Sequence, residues 1–169
     1  TRYTQIGLLT TELAMLKAVE TMEIVPAVTA GLSLGEYAAL TASGKISVED
    51  AIRVIDKRGQ YMQEAVPSGG AMAAVLGLDV ETIEKICADT RGIVEIANDN
   101  CPGQTVISGE AEAVYLAGEA MKGAGAKRVA VLNVSGPFHS SMLKRAGERL
   151  APELERVCWL DSDIPYVSN

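Results

Sequence analysis

Apolar residues recur over the first twenty positions at spacings of three and four: Ile6, Leu9, Leu13, Leu16 and Val19. That period predicts a helix over about 4–20. A short apolar run, Ile24 to Ala30, then reads as a strand, and Glu36-Tyr37-Ala38-Ala39-Leu40 as the start of another helix. Gly44-Lys45 breaks it, and Ser47, with Asp50 three residues on, reads as the cap of a helix over about 48–66. The stripe of that helix runs Ala51, Ile55, Met62, Ala65, but its place after Ile55 holds Arg58. A guanidinium on a buried face is costly unless an anion meets it. A structural salt bridge to a carboxylate of the protein would serve, and so would a bound carboxylate, which the arginine fork matches bidentately. Gly59 beside it weakens the helix and leaves room for something to approach.

After the linker Pro67-Ser68-Gly69-Gly70 the rhythm changes. Strands are expected at 71–76, 93–97, 105–108 and 127–134. Helices are expected after Asp79, carrying Val80, Ile83 and Cys87, and over 111–123, carrying Val114, Ala117 and Met121. The order β-α-β-β-α-β is that of a ferredoxin-like unit, placed as an insert at 69–134 inside a larger domain formed by 1–68 and 135–169. Gly136-Pro137-Phe138-His139 reads as a loop, a helix starts near Ser140 or Ser141, and Pro152 breaks it or starts a new turn.

Between the first strand and its helix stands Gly31-Leu32-Ser33-Leu34-Gly35, a G-x-S-x-G. In that setting the pattern is a nucleophile elbow: the serine hydroxyl is thrust out of a sharp turn, and the next residue's N–H is available to an oxyanion. The flanking glycines are expected because larger side chains would collide there. His139 is the single histidine, so it alone can offer an imidazole base, although by itself it could equally be a surface or helix-start residue. Asn98 to Gln104 reads as a polar loop between two strands, by composition an ordinary turn, and no acid stands out as a third member of a triad.

The bulk numbers narrow the field. The chain has 169 residues, 48% of them hydrophobic, enough for one domain carrying a small insert. A net charge of −7 argues against nucleic acid as a partner. No apolar run approaches the roughly 20 residues that span a bilayer, and no signal-peptide pattern opens the chain, so no membrane role is expected. Three widely spaced cysteines, Cys87, Cys101 and Cys158, and one histidine imply neither a disulfide framework nor a metal site, and fit a reducing, cytoplasmic compartment.

Five stretches together resemble the malonyl-CoA:acyl carrier protein transacylases and, more broadly, the acyltransferase domains of fatty-acid and polyketide synthases. They are Thr4-Gln5, Gly31 to Tyr37, Arg58 to Met62, Asn98 to Gly109, and Val134 to Ser140, in the family's order. The resemblance implies an α/β fold: a hydrolase-like large subdomain with the ferredoxin-like insert. It implies Ser33 as nucleophile, His139 as base and then acid, the Leu34 N–H in the oxyanion hole and Arg58 on the free carboxylate of a malonyl group. Met62, Asn100, Gln104 and Phe138 would line the acyl or pantetheine channel, Phe138 in the malonyl-selective form. Malonyl-CoA and acyl carrier protein would be the partners, with no cofactor beyond the thioester substrate. A serine thioesterase, a polyketide-synthase acyltransferase domain and a non-catalytic fragment are the alternatives.

Two departures accompany the resemblance. Leu32 stands where the family usually has histidine. The family is also longer, with an N-terminal strand, a Gln loop and a C-terminal part that this sequence does not show. A chain opening at Thr1 and closing at Asn169, with only two strands outside the insert, is expected to be the middle of a larger enzyme.

Overall fold

Leu9 and Leu13, one turn apart, carry helix α1 (Arg2–Glu20) onto a core with Ile46, Ala51, Val54, Ile55 and Val157. The computed structural model describes residues 2–134 and 136–169 of a mixed α/β fold. Contacts divide the chain into two units, Thr1–Tyr61 with Glu148–Asn169, and Met62–Gly147.

The first unit continues with β1 (Thr29–Ala30), α2 (Gly35–Ala42) and most of α3 (Val48–Ala65). Ser47 Oγ accepts the Asp50 N–H at 3.0 Å, the cap the sequence predicts for α3. The predicted strand at 24–30 shrinks to two residues, and Ile24, Val25 and Val28 are exposed. A strand extends only as far as its pairing does, and Pro26 has no N–H to give. Val19, predicted to be on the buried stripe of α1, is exposed, whereas Gln5 is buried on it.

The second unit opens with β2 (Gly70–Leu76) and α4 (Val80–Asp89), whose cap Asp79 accepts the Thr82 N–H at 2.8 Å. Then come β3 (Val94–Cys101), β4 (Gln104–Glu110), α5 (Ala111–Gly123) and β5 (Arg128–Val131). The strands form one sheet in the order β3-β4-β2-β5, every pair antiparallel, with Ala73 opposite both Ile107 and Val131. Ala73, Val75, Val94 and Ile107 pack with Ile83, Cys87, Val114, Ala117 and Met121 of the two helices. The segment 98–101, read above as loop, is strand; only Pro102 and Gly103 turn, Gly103 at φ +77°. The polar side chains had masked a strand irregular enough to carry two bulges, at Ile96/Asn98 and Asp99/Cys101.

A 3₁₀ turn (Ser141–Leu143) leads into α6 (Lys144–Glu155), which returns the chain to the first unit. Pro152 sits inside α6 and does not end it. Glu153, one residue on, accepts from Arg53 at 3.3 Å and Tyr61 at 3.4 Å, tying that last turn to α3. The chain closes with β6 (Tyr166–Val167), parallel to β1 with Thr29 opposite Tyr166 and Ala30 opposite Val167. No helix among the described residues is long and apolar enough to cross a membrane. Ser135, within the Val134–Ser140 stretch, lies outside the described residues.

Candidate active site

Ser33 lies between β1 and α2 in the left-handed region, at φ +55°. A non-glycine residue there costs about 1–2 kcal/mol and persists only where its surroundings hold it. The turn closes on itself: Gly35 N–H donates to Leu32 O at 2.9 Å and Glu36 N–H to Ser33 O at 3.3 Å. A Cβ on Gly31 would lie 2.1 Å from the carbonyl carbon and oxygen of Gly35, so that glycine is required by contact. At Gly35 a Cβ would meet nothing within 4 Å, so the expectation of crowding fails there.

The two amides at the elbow have different fates. Ser33 N–H donates to Asn169 Oδ1 at 3.0 Å. The Leu34 N–H, at the N-cap of α2, meets no acceptor among the described residues. An N–H at the start of a helix, where partial positive charge gathers, suits an oxyanion.

Arg58 reaches the same turn from α3. Its Nη2 donates to Ser33 Oγ at 2.9 Å and its Nη1 to Gln5 Oε1 at 2.5 Å. Its guanidinium also lies 6.0 Å from the centre of the Tyr37 ring. Among the described residues no carboxylate forms an ion pair with it, so the salt bridge left open above is not what holds this charge. Burial pushes its pKa down, and Tyr37 and Glu36 pull the other way. Burial likewise raises the Tyr37 phenol. What approaches Gly59 is backbone: a Cβ there would stand 2.8 Å from the carbonyl oxygen of Arg2.

Strand β6 braces the elbow. The Tyr166 hydroxyl donates to Glu36 Oε1, and the Asn169 N–H donates to the same oxygen at 2.9 Å. Desolvation first, then the Glu36 carboxylate, pushes the Tyr166 phenol up to about 12.

The other predicted site residues belong to the second unit. His139 is exposed and, like Ser33, left-handed, at φ +59°. Its loop is fixed on both sides. Pro137 is fully buried against Gly70, where a Cβ would come within 2.3 Å of its Cδ. Ser140 Oγ donates to Pro137 O at 2.8 Å, and Ser141 N–H donates to Glu95 Oε2 at 2.6 Å. Phe138 is half-buried in this loop. Asn100 falls at the second bulge of β3 and Gln104 begins β4 across the hairpin, both exposed. Met62 is half-buried in the last turn of α3.

Gln5, Glu36 and Asn169 bear on the Ser33 elbow, and Glu95 on the His139 loop, without having been singled out as site residues. Gln5 had a readable signal: it shares the buried face of α1 with Leu9 and Leu13, as Arg58 shares that of α3. Asn169 and Glu95 had none, since each acts on a backbone amide far along the chain. Among the described residues no group of three or more His, Cys, Asp or Glu is placed to hold a metal ion.

Known proteins resemble this chain in sequence and in fold. A model of the acyl transferase domain family matches residues 1–168. The malonyl CoA-acyl carrier protein transacylase of Bacillus subtilis is 48% identical over 169 residues, covering 98% of this chain and 53% of that protein. That of Staphylococcus aureus strain MRSA252 is 45% identical over 173 residues, covering 100% of this chain and 56% of that protein. The solved structure of the transacylase from Coxiella burnetii superposes with a TM-score of 0.95 at 42% identity, over 100% of this chain and 55% of that one. A type II polyketide-synthase acyl carrier protein in complex with its malonyl transacylase matches at 0.95 and 44%, over 100% and 56%. The chain spans about half the length of these relatives.

Proposed function

The chain belongs to the acyl transferase domain family, and from that premise we propose that it carries the nucleophile, oxyanion and carboxylate-binding parts of a malonyl-CoA:acyl carrier protein transacylase. One observation carries the proposal. Ser33, left-handed at the elbow, accepts a 2.9 Å hydrogen bond from Arg58, a buried-face cation that the described carboxylates leave unpaired. A serine hydroxyl beside a guanidinium that has no carboxylate ion pair among the described residues suits an acyl group that itself ends in a carboxylate.

In this reading His139 takes the proton of Ser33 Oγ as the oxygen attacks the malonyl thioester carbonyl. The Leu34 N–H holds the oxyanion, and the C–S bond breaks, with CoA leaving as the thiol on the proton returned by His139. Arg58 turns from Ser33 Oγ to the free carboxylate and keeps the malonyl-serine ester in register. The phosphopantetheine thiol of acyl carrier protein then gives its proton to His139 and attacks the ester carbonyl; the C–O bond to Ser33 breaks, the malonyl group leaves as the carrier's thioester, and His139 returns the proton to Ser33 Oγ. Met62, Asn100, Gln104 and Phe138 line the channel for the acyl and pantetheine groups. No cofactor takes part, and the setting is cytoplasmic fatty-acid synthesis. The four-stranded β-α-β-β-α-β unit is the ferredoxin-like subdomain, 69–134, and residues 1–68 and 135–169 supply part of the hydrolase-like subdomain.

Intact-mass analysis after incubation with malonyl-CoA tests the proposal. A malonyl adduct on Ser33, absent in Ser33→Ala and discharged by phosphopantetheinylated acyl carrier protein, is the expected outcome. An adduct that persists in Ser33→Ala rejects the nucleophile. Rapid hydrolysis in water with no need of carrier makes the chain a thioesterase instead.

A further inference from the structure

Left-handed Ser33 is held by more than its own turn. Its N–H donates to Asn169 Oδ1 at 3.0 Å, and Asn169 lies 136 positions away in sequence. Asn169 is anchored in turn, its N–H donating to Glu36 Oε1 at 2.9 Å, and the Tyr166 hydroxyl converges on that oxygen. The register of β6 on β1, Thr29 opposite Tyr166 and Ala30 opposite Val167, brings these groups to the end of β1 where the elbow begins. The Thr29 N–H bond to Pro165 O at 2.9 Å fixes that register. Glu36 lies in the first turn of α2, so one carboxylate ties the helix that follows Ser33 to the strand beside the one that precedes it.

We propose that Asn169 is a positioning residue for the nucleophile: its side-chain carbonyl holds the Ser33 amide, with Glu36 and Tyr166 as the anchor. Two consequences follow. The bond opposes relaxation of Ser33 toward negative φ, which would swing its hydroxyl away from Arg58 Nη2. It also occupies the Ser33 N–H and leaves the Leu34 N–H as the elbow amide open to an oxyanion. Asn169 touches neither the acyl group nor a transferred proton. The inference rests on Ser33 as nucleophile, but not on malonyl as the acyl group.

The test compares Asn169→Ala with Asn169→Asp, which keeps an oxygen acceptor, in the 169-residue chain. Amide exchange by NMR at Ser33 should quicken about tenfold or more in the alanine variant and stay near the parent in the aspartate variant. Acylation of Ser33 at saturating malonyl-CoA should slow about tenfold in Asn169→Ala, with the half-saturating concentration unchanged, and recover in Asn169→Asp. The Ser33 amide proton should also move downfield in Asn169→Asp as its acceptor becomes charged, a signature independent of whether the alanine variant folds. Unchanged Ser33 exchange in a folded Asn169→Ala, an equal loss of rate in both variants, or an unmoved Ser33 amide in Asn169→Asp overturns the proposal. A parallel arm uses a fluorophosphonate, which reports any activated serine. Ser33 modified by it but not by malonyl-CoA rejects the malonyl reading, while the same variants still judge Asn169.

Discussion

Arg58 Nη2 lies 2.9 Å from Ser33 Oγ, joining residues 25 positions apart on different elements. The guanidinium donates to the hydroxyl that attacks in the proposed reaction, and a donor on that oxygen lowers its nucleophilicity. In that proposal an acyl group with its own carboxylate draws the fork away and frees the oxygen as it binds, and an acetyl group does not. Arg58→Ala is therefore expected to slow acylation by malonyl-CoA about a hundredfold, the scale of a lost charge-assisted hydrogen bond. It should leave or raise acylation by acetyl-CoA. Arg58→Lys, a point charge without the fork, should fall between. Rates of adduct formation with the two thioesters check this, and an unchanged malonyl-to-acetyl ratio in Arg58→Ala rejects the clamp.

How much of this was legible in the chain depended on range. Local periodicity placed α1, α3, α4 and α5 within a few residues, and Asp79 and Ser47 cap their helices as read. Arg58 was visible because a charge broke an apolar stripe, and Ser33 because the elbow pattern is local. What depended on a partner strand was not legible. The apolar run at 24–30 pairs over only two residues, and the polar run at 98–101 is strand because β4 pairs with it. Asn169 and Glu95 escaped for the same reason: each earns its role from one backbone N–H that sequence spacing cannot locate. Gly59 was read correctly as a site of close approach, but the approaching group is the Arg2 carbonyl.

The two elbow glycines should behave differently. A Cβ on Gly31 would sit 2.1 Å from the Gly35 carbonyl, a backbone atom that cannot step aside. Gly31→Ala is expected to cost about 3 kcal/mol or more and to abolish labelling of Ser33. At Gly35 the space is open, and Gly35→Ala should shift stability by less than about 1 kcal/mol. Urea midpoints of the two variants decide it; equal losses would show that the collision at Gly31 is relieved elsewhere.

Glu95 on β3 caps the turn that follows His139, accepting the Ser141 N–H at 2.6 Å where Ser140 supplies no side-chain cap. Glu95→Ala should cost about 1–2 kcal/mol and speed amide exchange at Ser141. Glu95→Gln, which keeps an oxygen, should retain most of both. A Ser141 amide that exchanges at the parent rate in Glu95→Ala removes this residue from the support of the His139 loop.

Asp50 predicts a pH dependence of stability. One carboxylate oxygen accepts from Arg53 Nη2 at 2.7 Å and the other from the Cys158 N–H at 3.2 Å, joining α3 to the chain after α6. Arg53 first, then that amide, holds its pKa below the ordinary 3.8. A carboxylate depressed in the folded state binds its proton more readily when unfolded. Its contribution is therefore fully present above the unfolded value, near 4, and is lost as pH falls through the folded value. Asp50→Asn removes the charge and keeps the Ser47 cap on the backbone N–H. Its urea midpoint should lie below the parent's at pH 7, and the gap should narrow as pH is taken below about 4, where the parent protonates as well. Other carboxylates titrate over the same range, but they do so in both proteins and cancel in the difference. A gap that stays constant from pH 7 to pH 3 would mean that the charge of Asp50 adds nothing, and that geometry alone joins Cys158 to α3.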